Sequence, residues 1–216
     1  MNSRYEKVRQ RMAQEQLIPR GIDSRRVLEA MTRVPRHCFI EDALHLQAYG
    51  DFPLPIGHGQ TISQPYVVAL MTQLLDLRGH ETVLEIGTGC GYQSAILASL
   101  CAKVYTVERL KPLLARARRT FDQLRIYNII SKLDDGTEGW KENAPYDAII
   151  VTAAGPVIPQ PLVEQLADPG VLVLPVGDEE GQTLMMVRKE GGVVTETEVE
   201  SVRFVKLVGT HGWKAA

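Results

Sequence analysis

The sequence predicts a doubly wound, mostly parallel α/β sheet with an antiparallel C-terminal edge and a helical N-terminal extension. Three observations carry this. From Glu81 onward, short apolar runs alternate with helical stretches. Val/Ile/Leu runs separated by helices read as parallel strands buried on both faces by crossovers. Beyond Gln182 the apolar runs follow one another with no helix between them, which makes them antiparallel. Ahead of Glu81 the pattern is helical, broken by a Gly/Pro-rich stretch.

In chain order, residues 4–17 and 23–33 read as helices; Asp23 suits the cap of the second, and Val27, Leu28 and Met31 share one face. Tyr49–Gln60, with three Gly and two Pro, reads as a loop without regular structure. Ser63 then suits a cap and Pro65 a first turn, opening a helix to Leu77 that buries Val68, Met71, Leu74 and Leu75. Strands are expected at 82–86, 103–108, 128–133, 146–153 and 170–176. Helices at 92–100, up to Leu124, and at 160–166 fill the gaps. TLMMVRK, VVTETEV and VRFVKLV close the sheet, the first two joined by a Gly191-Gly192 turn. Residues 1–78 form the extension and 79–216 the core of one compact unit.

A chain of 216 residues, 44 % hydrophobic and 23 % charged, can bury its own core. A net charge of −2 is too even for a chain whose main task is holding nucleic acid or an anionic membrane. The basic run from Arg109 to Arg119 reads as a solvated helix face. No apolar stretch approaches the ~18 residues of a membrane span, and the charged start lacks the apolar centre of a secretory signal. Three cysteines without a C-x-x-C pair, and histidines without ligand spacing, predict a cytoplasmic chain with no bound metal.

The densest signal is Val83-Leu84-Glu85-Ile86-Gly87-Thr88-Gly89-Cys90-Gly91-Tyr92, where the first parallel strand turns into a helix. Doubly wound folds bind nucleotides at that turn. Tyr92 replaces the third glycine of a dinucleotide fingerprint, and no Gly-Lys-Ser/Thr follows to make a phosphate-cradling loop. A nucleoside bearing an amino acid is the better ligand. The E-x-G-x-G-x-G pattern resembles the first motif of S-adenosylmethionine-dependent methyltransferases. That resemblance implies that Glu85 helps fix the glycine amides and the cofactor's ammonium. Glu108, ending the next strand nineteen residues after Gly89, suits the ribose hydroxyls. Asp135 suits the adenine amino group, with Gly136 leaving room for the base.

Methyl transfer is an in-line displacement, so the protein chiefly aligns its reactants. The segment after the fourth parallel strand reads Val151-Thr152-Ala153-Ala154-Gly155-Pro156, not the D/N/S-P-P-Y/F of exocyclic-amine enzymes, and no carboxylate cluster offers a divalent-ion site. Small and hydroxyl-bearing groups there suit an acceptor that is already a nucleophile, such as a carboxylate.

Longer stretches sharpen this: Val34-Pro35-Arg36 with Phe39, Leu54-Pro55-Ile56-Gly57, Gln60-Thr61-Ile62-Ser63-Gln64-Pro65, Asp135-Gly136-x-x-Gly139-Trp140, Tyr146-Asp147-Ala148-Ile149-Ile150-Val151-Thr152-Ala153-Ala154, Leu172–Gly177 and Val202-Arg203-Phe204-Val205. From about Leu28 to Leu207 the chain resembles the protein-L-isoaspartate O-methyltransferase family. The resemblance implies a Rossmann-like fold, S-adenosyl-L-methionine as cofactor, and methyl transfer to the free α-carboxylate of L-isoaspartyl residues in damaged proteins and peptides. The ester then reverts through succinimide.

Ser63 carries the active-site role in this resemblance, orienting the carboxylate without becoming a nucleophile; no G-x-S-x-G elbow surrounds it. The cofactor set implied is Ile62, Glu85, Gly87, Thr88, Gly89, Gly91, Tyr92, Glu108, Arg109, Asp135 and Gly136. Thr61, Ser63, Thr152, Ala153 and Val205 face the acceptor, with no metal. The expected partners are the damaged proteins, with no nucleic acid and no membrane, for a monomeric chain. The sequence departs from the family at Asp134 (usually Gly), Cys90 (a serine-like residue) and Lys206 (commonly Pro), and His58 takes a Gln-like position read as loop packing. The alternatives are a methyltransferase acting on a small molecule or RNA, and a cofactor-binding partner without activity. Intact Glu85, Glu108, Asp135 and Ser63 speak against the latter.

Overall fold

The computed structural model describes residues 3–214; Met1, Asn2, Ala215 and Ala216, at the outer ends of the two expected units, lie outside it. The chain begins with helix α1 (Ser3–Met12), continued by a π-turn over Ala13–Leu17, and helix α2 (Arg25–Arg33). Ser24, and not Asp23, caps α2: its side chain accepts from the Val27 N–H. Asp23 gives its own N–H to the Gln73 side chain instead.

The stretch Tyr49–Gln60 corrects the expectation of an irregular loop. Strands β1 (Leu54–Gly57) and β2 (Gln60–Ile62) pair antiparallel as a small hairpin. Its turn is His58-Gly59, with φ of 54° and 69°, the doubly left-handed geometry of a tight hairpin. His58 is exposed at that tip, so it is not packed in the loop. Leu54, Ile56 and Ile62 are buried, and this alternation was the overlooked strand signal. Helix α3 (Pro65–Leu74) follows. Gln64 occupies its cap position and no side chain bonds there, so Ser63 does not cap α3 as expected.

The main sheet contains β3 (Thr82–Ile86), β4 (Lys103–Glu108), β5 (Ile129–Leu133), β6 (Tyr146–Val151), β7 (Leu166–Gly177), β8 (Gln182–Glu190) and β9 (Val193–Val202). Their spatial order is β5-β4-β3-β6-β7-β8-β9. The first five are parallel and the last two antiparallel, as predicted. Gly191 and Gly192, both at positive φ, turn β8 into β9. Helices α4 (Tyr92–Ala98), α5 (Lys111–Leu124) and α6 (Gln160–Glu164) make the crossovers.

Strand alternation divides the core in two. Val83, Ala148, Ile150, Val171 and Val173 face α4, α5 and the N-terminal helices, while Leu84, Ile86, Ile149, Val151, Leu172 and Leu174 face α6 and the C-terminal segment. Met12, Leu17, Ile22, Met31 and Phe39 belong to the first cluster, so the extension shares the sheet's core. The expected strand VRFVKLV is not one. β9 stops at Val202, and residues 205–208 run beside Ala154, whose N–H donates to Val205 O (2.8 Å) and whose carbonyl accepts from Leu207 N (2.8 Å). The chain order reverses between β3 and β6, which opens a crevice at the carboxyl ends of β3, β4 and β6.

Candidate functional site

That crevice is an open cleft whose space, counting its mouth, is about 790 Å³. Its walls come from four places: the β2–α3 link, the loop after β3, the ends of β4 and β6, and the segment 205–208. Thirteen of the sixteen residues expected from sequence line it, all but Glu85, Gly91 and Asp135.

The loop after β3 passes Gly87, Gly89 and Gly91 at φ of 94°, 54° and 91°. At Gly87 a Cβ would lie 2.5 Å from the Thr152 hydroxyl, which donates to the Gly87 carbonyl (2.7 Å). Thr152 thus clamps the loop to β6. Gly91 stands behind the cleft, where a Cβ would lie 2.5 Å from the Phe121 ring; its absence lets α4 start against α5.

Glu108 enters at the tip of β4, nearly buried. One carboxylate oxygen accepts from the Gly89 N–H and the other from the Leu110 N–H, both at 2.8 Å. Each oxygen keeps a lone pair for a ligand hydroxyl. Ile86, Val107 and Gly136 line an apolar slot beside it, and a Cβ on Gly136 would collide with Ile86. A carboxylate next to apolar lining fits a nucleoside's ribose and base. The exposed Arg109 and the buried Ile62 and Tyr92 also line the cleft.

Glu85 does something other than expected. Its side chain points to the extension side of the sheet, fully buried, and Oε2 accepts from the hydroxyls of Ser94 and Thr106. Thr106 spends its proton on Glu85, so Thr88 donates to Thr106 (2.7 Å). Glu85 therefore reaches the glycine loop through two hydroxyls and touches none of its amides. Oε1 has no partner among the described residues. Burial pushes this carboxyl up to about 8; the Ser94 and Thr106 hydroxyls offset part of the rise, and the nearby Glu108 charge adds to it.

A stability prediction follows from this proton. The folded chain holds it up to about pH 8, whereas an unfolded carboxyl releases it near 4.5. The folded state therefore binds more protons across that window, and its stability falls as pH rises through it. In Glu85→Gln the fall is expected to flatten, by on the order of 1 kcal/mol per pH unit. Parallel urea titrations from pH 5 to 8.5 measure it; identical slopes for both proteins would mean that Glu85 ionises normally.

Asp135 is also placed differently from the expectation. Its carboxylate accepts from the Thr137 N–H (2.9 Å) and hydroxyl (2.7 Å) and from the Thr210 N–H (2.7 Å), packed against Gly209. It ties the turn after β5 to the C-terminal segment and does not line the cleft. Burial works against its charge, but the Thr210 and Thr137 hydrogen bonds outweigh it and hold the carboxyl below the usual carboxylate range. The neighbouring Asp134 pairs with Lys132 at 2.6 Å, so its charge is met outside the cleft.

Thr61 and Ser63 also line the cleft, together with Ala153 and Val205. Lys206 lines it as well, paired to Glu179 at 2.6 Å with its ammonium over the Trp213 ring. Gln60, Val68, Cys90, Gln93, Leu110, Leu207 and Val208 also line it and were not among the expected site residues. Gln93 is held by the Thr72 hydroxyl (2.9 Å), a contact with no sequence signature. Leu207 and Val208 were hidden by the reading of their segment as an edge strand.

Residues 8–212 match the family profile described as protein-L-isoaspartate(D-aspartate) O-methyltransferase. A protein-L-isoaspartate O-methyltransferase of Desulfotalea psychrophila is 54 % identical over 214 residues, covering 99 % of this chain and 100 % of that one. Its counterpart in Geobacter metallireducens is 56 % identical over 210 residues, with 97 % of each chain covered. Among solved structures, a protein-L-isoaspartate O-methyltransferase superposes with TM-score 0.85 at 26 % identity, covering 96 % of this chain and 67 % of that one. A Plasmodium falciparum chain assigned to the same activity, in complex with S-adenosyl-L-homocysteine, gives TM-score 0.81 at 27 % identity over 93 % and 98 % of the two chains. Sequence, fold and relatives agree along nearly the whole length, and the chain belongs to the protein-L-isoaspartate(D-aspartate) O-methyltransferase family.

Proposed function

We propose that Glu108 holds the cofactor's ribose and Ser63 orients the acceptor carboxylate across one cleft. The chain is an S-adenosylmethionine-dependent enzyme that methylates the free α-carboxylate of L-isoaspartyl residues in damaged proteins and peptides. When bound, S-adenosyl-L-methionine would supply a sulfonium methyl: a carboxylate oxygen attacks that carbon in line, the sulfur–methyl bond breaks and the neutral thioether S-adenosyl-L-homocysteine leaves, with no proton to remove. The protein's work is then orientation and exclusion of water.

The observation that carries the site assignment is that one cleft is lined both by Glu108, Ile86 and Gly136 from the strand ends and by Ser63, which is free of any capping duty. In this reading Gly87, Thr88, Gly89 and Tyr92 cradle the amino-acid end of the cofactor, beside Ile62 and Arg109. Glu85 and Gly91 support that loop from behind, and Gly136 borders the base. Thr61, Ala153 and Val205 border the acceptor, and Thr152 holds the loop they face.

The same reading divides the chain into an extension, 1–78, that brings Thr61–Ser63, and a core, 79–216, that brings the remaining groups. It takes the chain as a cytoplasmic monomer acting without nucleic acid. A near-even net charge of −2 and three cysteines without a C-x-x-C pair support the reading on nucleic acid and compartment. No helix of the described residues is long and apolar enough to cross a membrane.

The test uses radiolabelled S-adenosylmethionine and two peptides that differ only in L-isoaspartate against normal aspartate. Base-labile label on the isoaspartyl peptide alone is expected. Label on neither, with cofactor binding intact, would redirect the search to small molecules and RNA.

A further inference from the structure

A second cavity lies at the other end of the sheet, beside the C-terminal ends of α4 and α5 and the start of β5, and shares no residue with the cleft. Its space, counting its open mouth, is about 1290 Å³. Three arginines from three separate elements line it: Arg9 of α1, Arg33 in the last turn of α2, and Arg125 at the end of α5. No Asp or Glu lines it, and none of the three arginines forms an ion pair among the described residues. Arg9 donates from Nε to the Thr32 carbonyl, which fixes its guanidinium on the cavity wall.

Arg125 adds an independent sign. It sits in the left-handed region (φ 56°, ψ 45°) at the α5 C-terminus, where glycine is the favoured residue. The chain thus keeps a cation at a position whose backbone asks for none. The remaining lining is mainly apolar, with Ala95, Ala98 and Ile126 beside the polar His37, Ser99 and Asn128, and Tyr127 is exposed. Guanidinium groups recognise phosphate oxygens in bidentate fashion, and flat bases stack on tyrosine and aliphatic surface.

We infer that this cavity is a binding site for a phosphorylated mononucleotide, with its phosphates on Arg9, Arg33 and Arg125 and its base on the apolar wall. Because the site joins α1 and α2 to α5, occupancy also fastens the N-terminal helices to the sheet.

The test is calorimetry on the full chain saturated with S-adenosyl-L-homocysteine, which keeps adenine out of the catalytic cleft. ATP, adenosine and inorganic triphosphate are titrated separately. ATP is expected to bind at one site, with adenosine and triphosphate each at least about tenfold weaker. Arg33→Gln and Arg125→Gly are each expected to weaken ATP about tenfold, the worth of one charge-assisted hydrogen bond. Arg125→Gly removes the cation and relieves the backbone together, so its thermal midpoint is expected to hold or rise while affinity falls. That separates lost binding from lost folding. No heat with ATP at millimolar concentration, triphosphate binding as tightly as ATP, or ATP affinity unchanged in both variants would each overturn the proposal.

Discussion

Ser63→Ala is expected to lower turnover about 100-fold, the scale of effect produced by a misaligned reactant, while the affinity for S-adenosyl-L-homocysteine stays within about twofold. Ser63 lines the cleft, and Gln64, not Ser63, stands at the cap position of α3. Removing its hydroxyl therefore breaks no helix-capping bond, and the thermal midpoint is expected to move little. In the proposed role of Ser63, the acceptor carboxylate loses a hydrogen-bond donor that aims its oxygen at the methyl group. Single-turnover rates and calorimetry on the same preparation separate the two effects. Equal loss of turnover and cofactor affinity would make Ser63 a structural residue of the cleft wall.

Glu108→Ala is the second large effect, and it falls on the cofactor. The wild-type carboxylate accepts from Gly89 N and Leu110 N, so it organises the glycine loop before any ligand arrives. Deleting it loosens the loop and, in the proposed role, removes the acceptor for the ribose hydroxyls. Hydrogen bonds to a charged group are worth roughly 1.5–3 kcal/mol each. Loss of one or two predicts cofactor binding weaker by about 100-fold or more. Glu108→Gln, which keeps an acceptor without the charge, is expected to fall between the two. A dissociation constant unchanged in the alanine variant would take Glu108 out of the site.

Most of the cleft was legible because its residues follow from where strands end. A glycine loop after Ile86, an acid ending β4 and a Thr-Ala pair ending β6 fall together in any doubly wound sheet, since parallel strands bring their carboxyl ends to one edge. Glu85 and Asp135 obey the same strand-end rule, yet their carboxylates turn elsewhere. Strand position predicts where a Cα lies. Which way a carboxylate turns depends on the donors that reach it, here Ser94, Thr106, Thr137 and Thr210, and two of those lie on separate elements far along the chain.

The apolar periodicities, the glycine spacing and the twin-glycine turn are local properties, and from them alone the sheet, its antiparallel edge and the cofactor loop could be written down. Two walls of the cleft were beyond such reading. The Gly-rich stretch before Ser63 folds as a hairpin because Leu54, Ile56 and Ile62 find a buried surface, and composition alone says only that the backbone can turn there. Residues 205–208 leave the edge of the sheet because Ala154 offers them a donor and an acceptor on the far side of β7. Both outcomes rest on hydrogen bonds and apolar contacts between distant segments, whose energies exist only once the chain has closed on itself.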